Sequence, residues 1–124
     1  MKHEHDEIQK KIMDAVGKQV LFKFPGKEGN KNGILKDRAI VPSNPGTTGI
    51  PYWDVIDLIE FPEETEPYWI RIGYYRMANG RLNWGSQTTI TEPVDVWKKI
   101  LIDAAKQKPW FRKLLKDAMQ ELPK

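Results

Sequence analysis

The chain contains no cysteine, and only two of its 124 residues are histidine. The absence of cysteine excludes disulfides and thiolate metal sites, and it fits a reducing compartment. His3 and His5 lie near the start of the chain, where a terminus frays and metal ligands lack a rigid second shell. There is also no Gly-Lys-Ser or Gly-Lys-Thr phosphate loop. The sequence therefore predicts no metal centre, no cofactor and no Cys-His or Ser-His catalytic pair.

Long apolar runs are absent as well. No stretch approaches the roughly 20 apolar residues that a membrane-spanning helix needs, and the charged residues 2–7 are unlike a signal peptide. We therefore expect a cytoplasmic protein that does not interact with membranes. Because 124 residues is a typical length for one domain, residues 1–124 are expected to form a single domain with its own core.

Neither sign of charge dominates: the 20 Lys and Arg residues only slightly outnumber the 17 Asp and Glu residues. Its distribution is uneven: residues 94–124 carry eight basic and four acidic side chains, whereas residues 34–93 carry five and eight. A net charge of +3 mildly favours an acidic partner such as nucleic acid. The basic charge belongs to the C-terminal region and not to the predicted sheet.

Apolar periodicity predicts the order of helices and strands. The predicted elements are a helix over about 4–16, strands over 19–24, 34–41 and 52–61, a hairpin over 67–90, and two helices with apolar stripes, one over about 94–104 and one from Pro109. The breaker-rich residues 42–49 are expected to form a loop that gates a site or simply connects two strands. This order predicts an α+β fold: an N-terminal helix, a five-stranded antiparallel meander and two C-terminal helices. Five strands of this length can curl toward a small barrel of the SH3-like kind, an analogy that says nothing about function.

The hairpin is the most informative stretch. Its turn is predicted at Asn79-Gly80, because both residues tolerate the positive φ of a type I′ turn. In the strand before the turn, the even-numbered residues from Tyr68 to Tyr74 share one face, which we interpret as core. The opposite face carries Trp69, Arg71 and Tyr75, side chains that combine apolar area with hydrogen-bond donors. This second face is a recognition surface unless one of the helices covers it.

Two of the predicted strands contain acidic or basic side chains. Lys36, Asp37 and Arg38 indicate an edge or half-exposed strand. The strand over 52–61 has apolar residues on both faces, which is typical of a central strand covered by helices or of a bulge near Asp57.

The leading functional hypothesis is a non-enzymatic binding module that contacts nucleic acid through an aromatic and arginine sheet face and a basic helix. The alternative is a protein-interaction or homo-oligomerisation domain that uses the same aromatic face. The candidate binding residues are Trp69, Arg71, Tyr75, Arg76, Arg81, Arg112, Lys113 and Lys116. A third possibility, a small-molecule enzyme, requires that Asp54, Asp57 or Glu60 converge in a pocket.

Overall fold

The computed structural model describes residues 2–23, 29–42, 51–85 and 93–123. Its elements in chain order are α1 (Lys2–Met13), β1 (Gln19–Lys23), β2 (Asn30–Pro42), β3 (Tyr52–Glu60), β4 (Tyr68–Ala78), β5 (Arg81–Trp84), α2 (Val94–Gln107) and α3 (Pro109–Glu121). The strands form one antiparallel sheet in sequence order, curled into an open half-barrel. This arrangement confirms the predicted α+β fold. The expected loop over 42–49 and the end of the predicted hairpin fall almost wholly outside the described residues.

The central strand β3 is covered on both faces. On the inner face of the sheet, which we define as the face that packs against α1, Ile12 of the helix is buried against Trp53 and Val55. A second inner cluster contains Leu35, Ile59 and Phe61, beside the segment that follows α1. The interpretation of residues 52–61 as a central strand covered by helices is therefore correct.

The outer face, on the other side of the sheet, packs against α2 and α3. Its buried cluster contains Ala39, Val41, Ile56, Ile100, Ala104 and Phe111. Part of each apolar stripe of the C-terminal helices therefore contributes to the core, as the spacing predicts. Val94 and Leu122, at the outer ends of the stripes, are 84% and 57% exposed. None of the described helices is long and apolar enough to cross a membrane.

A β-bulge in β2 determines which charged residues face inward. The register pairs Leu35 with Ile59 and Asp37 with Leu58, so Lys36 is an extra residue. One extra residue reverses the alternation of side chains beyond it. Leu35 and Arg38 consequently both face inward, while Asp37 faces outward. The expectation of a half-exposed strand is wrong for Arg38, which is only 1% exposed.

Asp37 joins the bulge to the corner between α2 and α3. Its carboxylate accepts hydrogen bonds from Lys108 Nζ at 2.8 Å and from Trp110 Nε1 at 2.9 Å. Burial alone would raise the pKa of Asp37, but the hydrogen bonds from Lys108, Trp110 and the backbone of Arg38 outweigh burial and lower it. The helical corner is thus fastened to the sheet by an ionised carboxylate.

β1 pairs only with the first part of β2, up to Ile34. Farther along β2, the backbone of Ile40 is hydrogen-bonded to Gln107, at the corner between α2 and α3. The side-chain amide of Gln107 accepts from the Ile40 N–H at 3.0 Å and donates to the Ile40 carbonyl at 2.6 Å. It therefore occupies the place of a neighbouring strand, which protects an edge that could otherwise pair with another chain.

The turn between β4 and β5 has the predicted form. Asn79 and Gly80 both have positive φ, at 53° and 74°. Two successive residues in this region are the requirement of a type I′ turn, whose twist matches that of the flanking strands. The Asn-Gly signal in the sequence is confirmed.

We predict that Asp37→Asn makes stability less sensitive to acid. Because the pKa of Asp37 lies below its ordinary value of 3.8 in the folded protein, its contribution is complete above pH 3.8 and is lost as the pH falls through the folded value. Urea midpoints measured from pH 7 downward should show the variant less stable at neutral pH and the difference closing below about pH 4. Asp117→Asn removes the same charge from a more exposed pair with Lys113 and should change the curve less. A constant offset between wild type and Asp37→Asn at every pH would contradict the prediction.

Candidate functional site

A row of three charged residues crosses the inner face of the sheet. The register places Asp57 of β3 opposite Arg38 of β2 on one side and opposite Arg71 of β4 on the other. Directly opposed side chains on one face of an antiparallel sheet lie close enough to interact. Strand pairing alone therefore assembles an Arg–Asp–Arg row.

Both arginines bind the same carboxylate. Arg38 donates from Nε to Asp57 Oδ1 at 2.7 Å and from Nη2 to Oδ2 at 3.0 Å, which is a bidentate pair. Arg71 donates from Nε and Nη2 to Oδ2 alone, at 3.1 and 2.9 Å. The row therefore holds two positive charges against one negative charge.

Arg38 is almost fully bonded inside the protein. Its Nη1 donates to the carbonyl oxygen of Ile12 at 2.8 Å and to the hydroxyl oxygen of Tyr75 at 3.0 Å, so the same guanidinium also ties the end of α1 to the sheet. Burial alone would lower the pKa of Arg38, but the hydrogen bonds and charge of Asp57, with a smaller contribution from Tyr75, raise it. Arg38 is therefore structural, with four of its five N–H donors bonded inside the protein.

Aromatic rings from β1, β4 and β5 lie beside the row. The guanidinium carbon of Arg71 lies 4.7 Å from the ring centre of Trp84 and 5.3 Å from that of Phe22. Trp84 also contacts Tyr75, with ring centres 4.7 Å apart. These distances are within the range of cation–π and aromatic contacts.

Trp84 reaches Arg71 because the residue between them is glycine. Gly73 is the inner-face neighbour of Arg71 on β4, and a Cβ placed on it would lie 2.8 Å from Trp84 Cζ2 and 3.0 Å from Cζ3. The indole therefore packs directly over the Gly73 backbone. Glycine serves here for close approach, not for an unusual backbone angle.

The outer face of β4 has a different character. Tyr68, Ile70 and Ile72 are 59%, 41% and 42% exposed, so the interpretation of the even-numbered residues as core is wrong for these three. The reason is that α2 and α3 pack over Ala39, Val41 and Ile56 of the two preceding strands and leave this part of β4 uncovered. We call Tyr68, Ile70 and Ile72 the outer β4 patch.

The candidate binding residues lie on both sides of the sheet. Trp69, Arg71 and Tyr75 face inward, as predicted for a shared face, and the charged row and the aromatic contacts engage Arg71 and Tyr75. Trp69 is 37% exposed, with its indole N–H donating to the Glu66 carbonyl oxygen at 2.6 Å.

The other five candidates are exposed on the outer side: Arg76, Arg81, Arg112, Lys113 and Lys116. The first two belong to β4 and β5, and the other three belong to α3, which packs toward β2. The aromatic inner face and the basic helix are therefore separated by the sheet, and they do not form one surface.

Two residues of the site were missed in the sequence. Arg38 belongs to the charged row and Trp84 packs against it, but nothing in the sequence marks the bulge at Lys36 that turns Arg38 inward. For Trp84, the useful signal was the pairing with Tyr75 that follows from a turn at Asn79-Gly80. Counting outward from that turn would have placed the two rings side by side.

The three acidic residues considered for catalysis do not converge. Asp57 faces inward, whereas Asp54 and Glu60 face outward and lie six residues apart on one strand, roughly 20 Å at about 3.3 Å per residue. Among the described residues, no group of three or more His, Asp or Glu could hold a metal ion.

Comparisons of the chain with protein-family profiles, with curated proteins and with solved structures give no significant match.

We predict that Asp57→Asn strongly destabilises the fold, because it leaves two guanidinium groups without their carboxylate in a buried position. Loss of one partner from a buried ion pair costs about 3–5 kcal/mol, which urea unfolding would measure. Asp103→Asn is the control, since it removes a carboxylate from the exposed Lys99 pair and should cost no more than about 0.5 kcal/mol. Equal losses for the two variants would show that the charged row is not a stabilising unit.

We also predict that Gly73→Ala destabilises the protein by about 1–3 kcal/mol, as is typical when a group is forced into a packed region. The same substitution in a Trp84→Leu background should cost clearly less, because the indole that the methyl group meets is gone. Urea unfolding of the four proteins gives the coupling. An unchanged cost in the Trp84→Leu background would refute the close packing of Trp84 on Gly73.

Proposed function

We propose that this domain is a non-enzymatic protein-interaction module that associates with a second copy of itself through the outer β4 patch. The observation that carries the proposal is the exposure of Tyr68, Ile70 and Ile72, three large side chains adjacent on one strand face. Single exposed apolar residues are ordinary on a protein surface, but a contiguous group on a rigid element is characteristic of an interface.

The surroundings of the patch favour a protein partner over solvent. Leu58, opposite Ile70 on β3, is half-buried, and Ile56, opposite Ile72, is fully buried under the helices. The patch is thus the uncovered continuation of the outer core. A second apolar surface placed on it would extend that core in the same way that α2 and α3 do.

The charges at the two ends of the patch suit a second copy. Glu60 lies opposite Tyr68 at one end, and a hydrogen bond with the Glu60 carboxylate raises the pKa of Tyr68. Arg76 is exposed on the same face at the other end. In a two-fold contact, the two copies of β4 run in opposite directions across the axis. An axis near Ile72 therefore places the Tyr68 end of one strand beside the Arg76 end of the other, which brings Glu60 of one copy toward Arg76 of its partner.

Nucleic-acid binding stays a prediction with weaker support. Arg112 and Lys116 are exposed on α3, and Lys113 is paired with Asp117 at 2.7 Å. Since the sheet separates these groups from Trp69, Arg71 and Tyr75, stacking and phosphate contacts would have to come from different sides of the domain. Oligonucleotide binding that weakens as salt rises and is lost in an Arg112→Ala, Lys116→Ala variant would favour this second function.

Self-association is tested by sedimentation velocity from about 1 μM to about 1 mM, a range that spans about 4 kcal/mol of association free energy. The wild type should change from monomer to dimer within this range, and Ile70→Glu with Ile72→Glu should remain monomeric because charges are buried at the contact. Glu60→Arg should weaken the dimer, and adding Arg76→Glu to it should restore association by returning opposite charges to the two ends.

The matched control is Ile102→Glu together with Leu114→Glu, two helical residues that are 43% and 44% exposed. These substitutions add the same charge at similar exposure away from the patch, so the dimer should survive. A wild type that is monomeric throughout, or a dimer that survives Ile70→Glu with Ile72→Glu, would overturn the proposal.

A further inference from the structure

We propose that Arg71 is the anchor of a carboxylate-binding site on the inner face, flanked by Phe22 and Trp84. This site lies on the opposite side of the sheet from the outer β4 patch and does not depend on self-association.

The charges of the row do not balance. Asp57 is fully buried and balances only one of the two guanidinium groups that bind it, while Arg71 keeps 21% of its side chain exposed. Among the described residues, no other carboxylate is bonded to either arginine. One positive charge is therefore left over at the accessible end of the row.

The Arg71 guanidinium has N–H donors that its bonds to Asp57 do not use. Arg71 uses Nε and Nη2 to bind Asp57, so the edge of the guanidinium formed by these two nitrogens is occupied. Its Nη1 donors and the second Nη2 hydrogen have no partner among the described residues. They form the end-on fork that pairs with the two oxygens of a carboxylate.

The Arg71 guanidinium is held in place by the protein itself. The bonds to Asp57 and the stacking near Trp84 and Phe22 hold the Arg71 guanidinium before any ligand arrives. A pre-positioned side chain loses little conformational freedom on binding, and the nearby rings reduce competition from water. A flexible surface arginine such as Arg112 has neither advantage.

The excess charge selects a carboxylate over a phosphate group. A carboxylate carries one negative charge and would bring the row of two arginines and one aspartate to neutrality. A phosphate monoester carries close to two negative charges at pH 7, and it would leave an unbalanced negative charge beside the buried Asp57. The aromatic flanks further favour a carboxylate with an apolar body, such as benzoate, over acetate.

The test is an NMR titration of the full chain at constant ionic strength with four probes: benzoate, acetate, inorganic phosphate and chloride. Benzoate should shift the Arg71 Nε–H and Trp84 indole N–H signals in a saturable manner. Acetate should act at higher concentration, and phosphate and chloride should have little effect. The Arg112 Nε–H signal is the internal control and should not move with the same saturation.

Arg71→Lys retains the charge but removes the fork, so benzoate binding should weaken by about tenfold or more, as expected when a charge-assisted hydrogen bond is lost. Arg112→Lys is the matched control and should bind as the wild type does. The wild-type titration decides the question even if Arg71→Lys proves unstable. Absence of saturable shifts, equal shifts with chloride, or a phosphate response stronger than that of benzoate would overturn the proposal.

Discussion

The structure depends on one carboxylate, that of Asp57, which binds an arginine from each neighbouring strand. A buried ion pair adds little net stability relative to an apolar core, since both charges must leave water. It is intolerant of misalignment, however, because a shift of one residue in either strand would leave a buried charge without its partner. We therefore regard the Arg38–Asp57–Arg71 row chiefly as the element that specifies the register of β2, β3 and β4.

The bulge at Lys36 allows β2 to place Arg38 in the row on the inner face and Asp37 at the helical corner on the outer face. Without the extra residue, the alternation that turns Leu35 inward would also turn Asp37 inward and Arg38 outward. Asp37 and Asp57 would then lie opposite each other on the inner face, and β2 would contribute no arginine to that face. The bulge corrects both positions, so that Asp37 can bind Lys108 and Trp110 while Arg38 binds Asp57.

Periodicity and turn chemistry in the sequence were sufficient for the order of elements, the Asn79-Gly80 turn and the helical stripes, because these are local properties. They also identified which residues of β4 share a face. They could not identify which face is covered, since that depends on where α2 and α3 end over the sheet. Tyr68, Ile70 and Ile72 were therefore assigned to the core, and Arg38 was assigned to an edge or half-exposed strand because a bulge leaves no compositional mark.

Each proposed binding site uses a group on β4 that the folded domain does not fully satisfy: an unbalanced positive charge on the inner face and exposed apolar area on the outer face. On the inner face, three strands contribute two positive charges and one negative charge, and the excess remains at Arg71, whose side chain is 21% exposed. On the outer face, two helices are enough to cover β2 and β3 but not the adjacent strand, so apolar area remains on β4. Arg71 binds Asp57 through Nε and Nη2 and still keeps part of its guanidinium at the surface. The two proposed sites therefore lie back to back on β4, and each is built from a group that the folding interactions leave partly unpaired or uncovered.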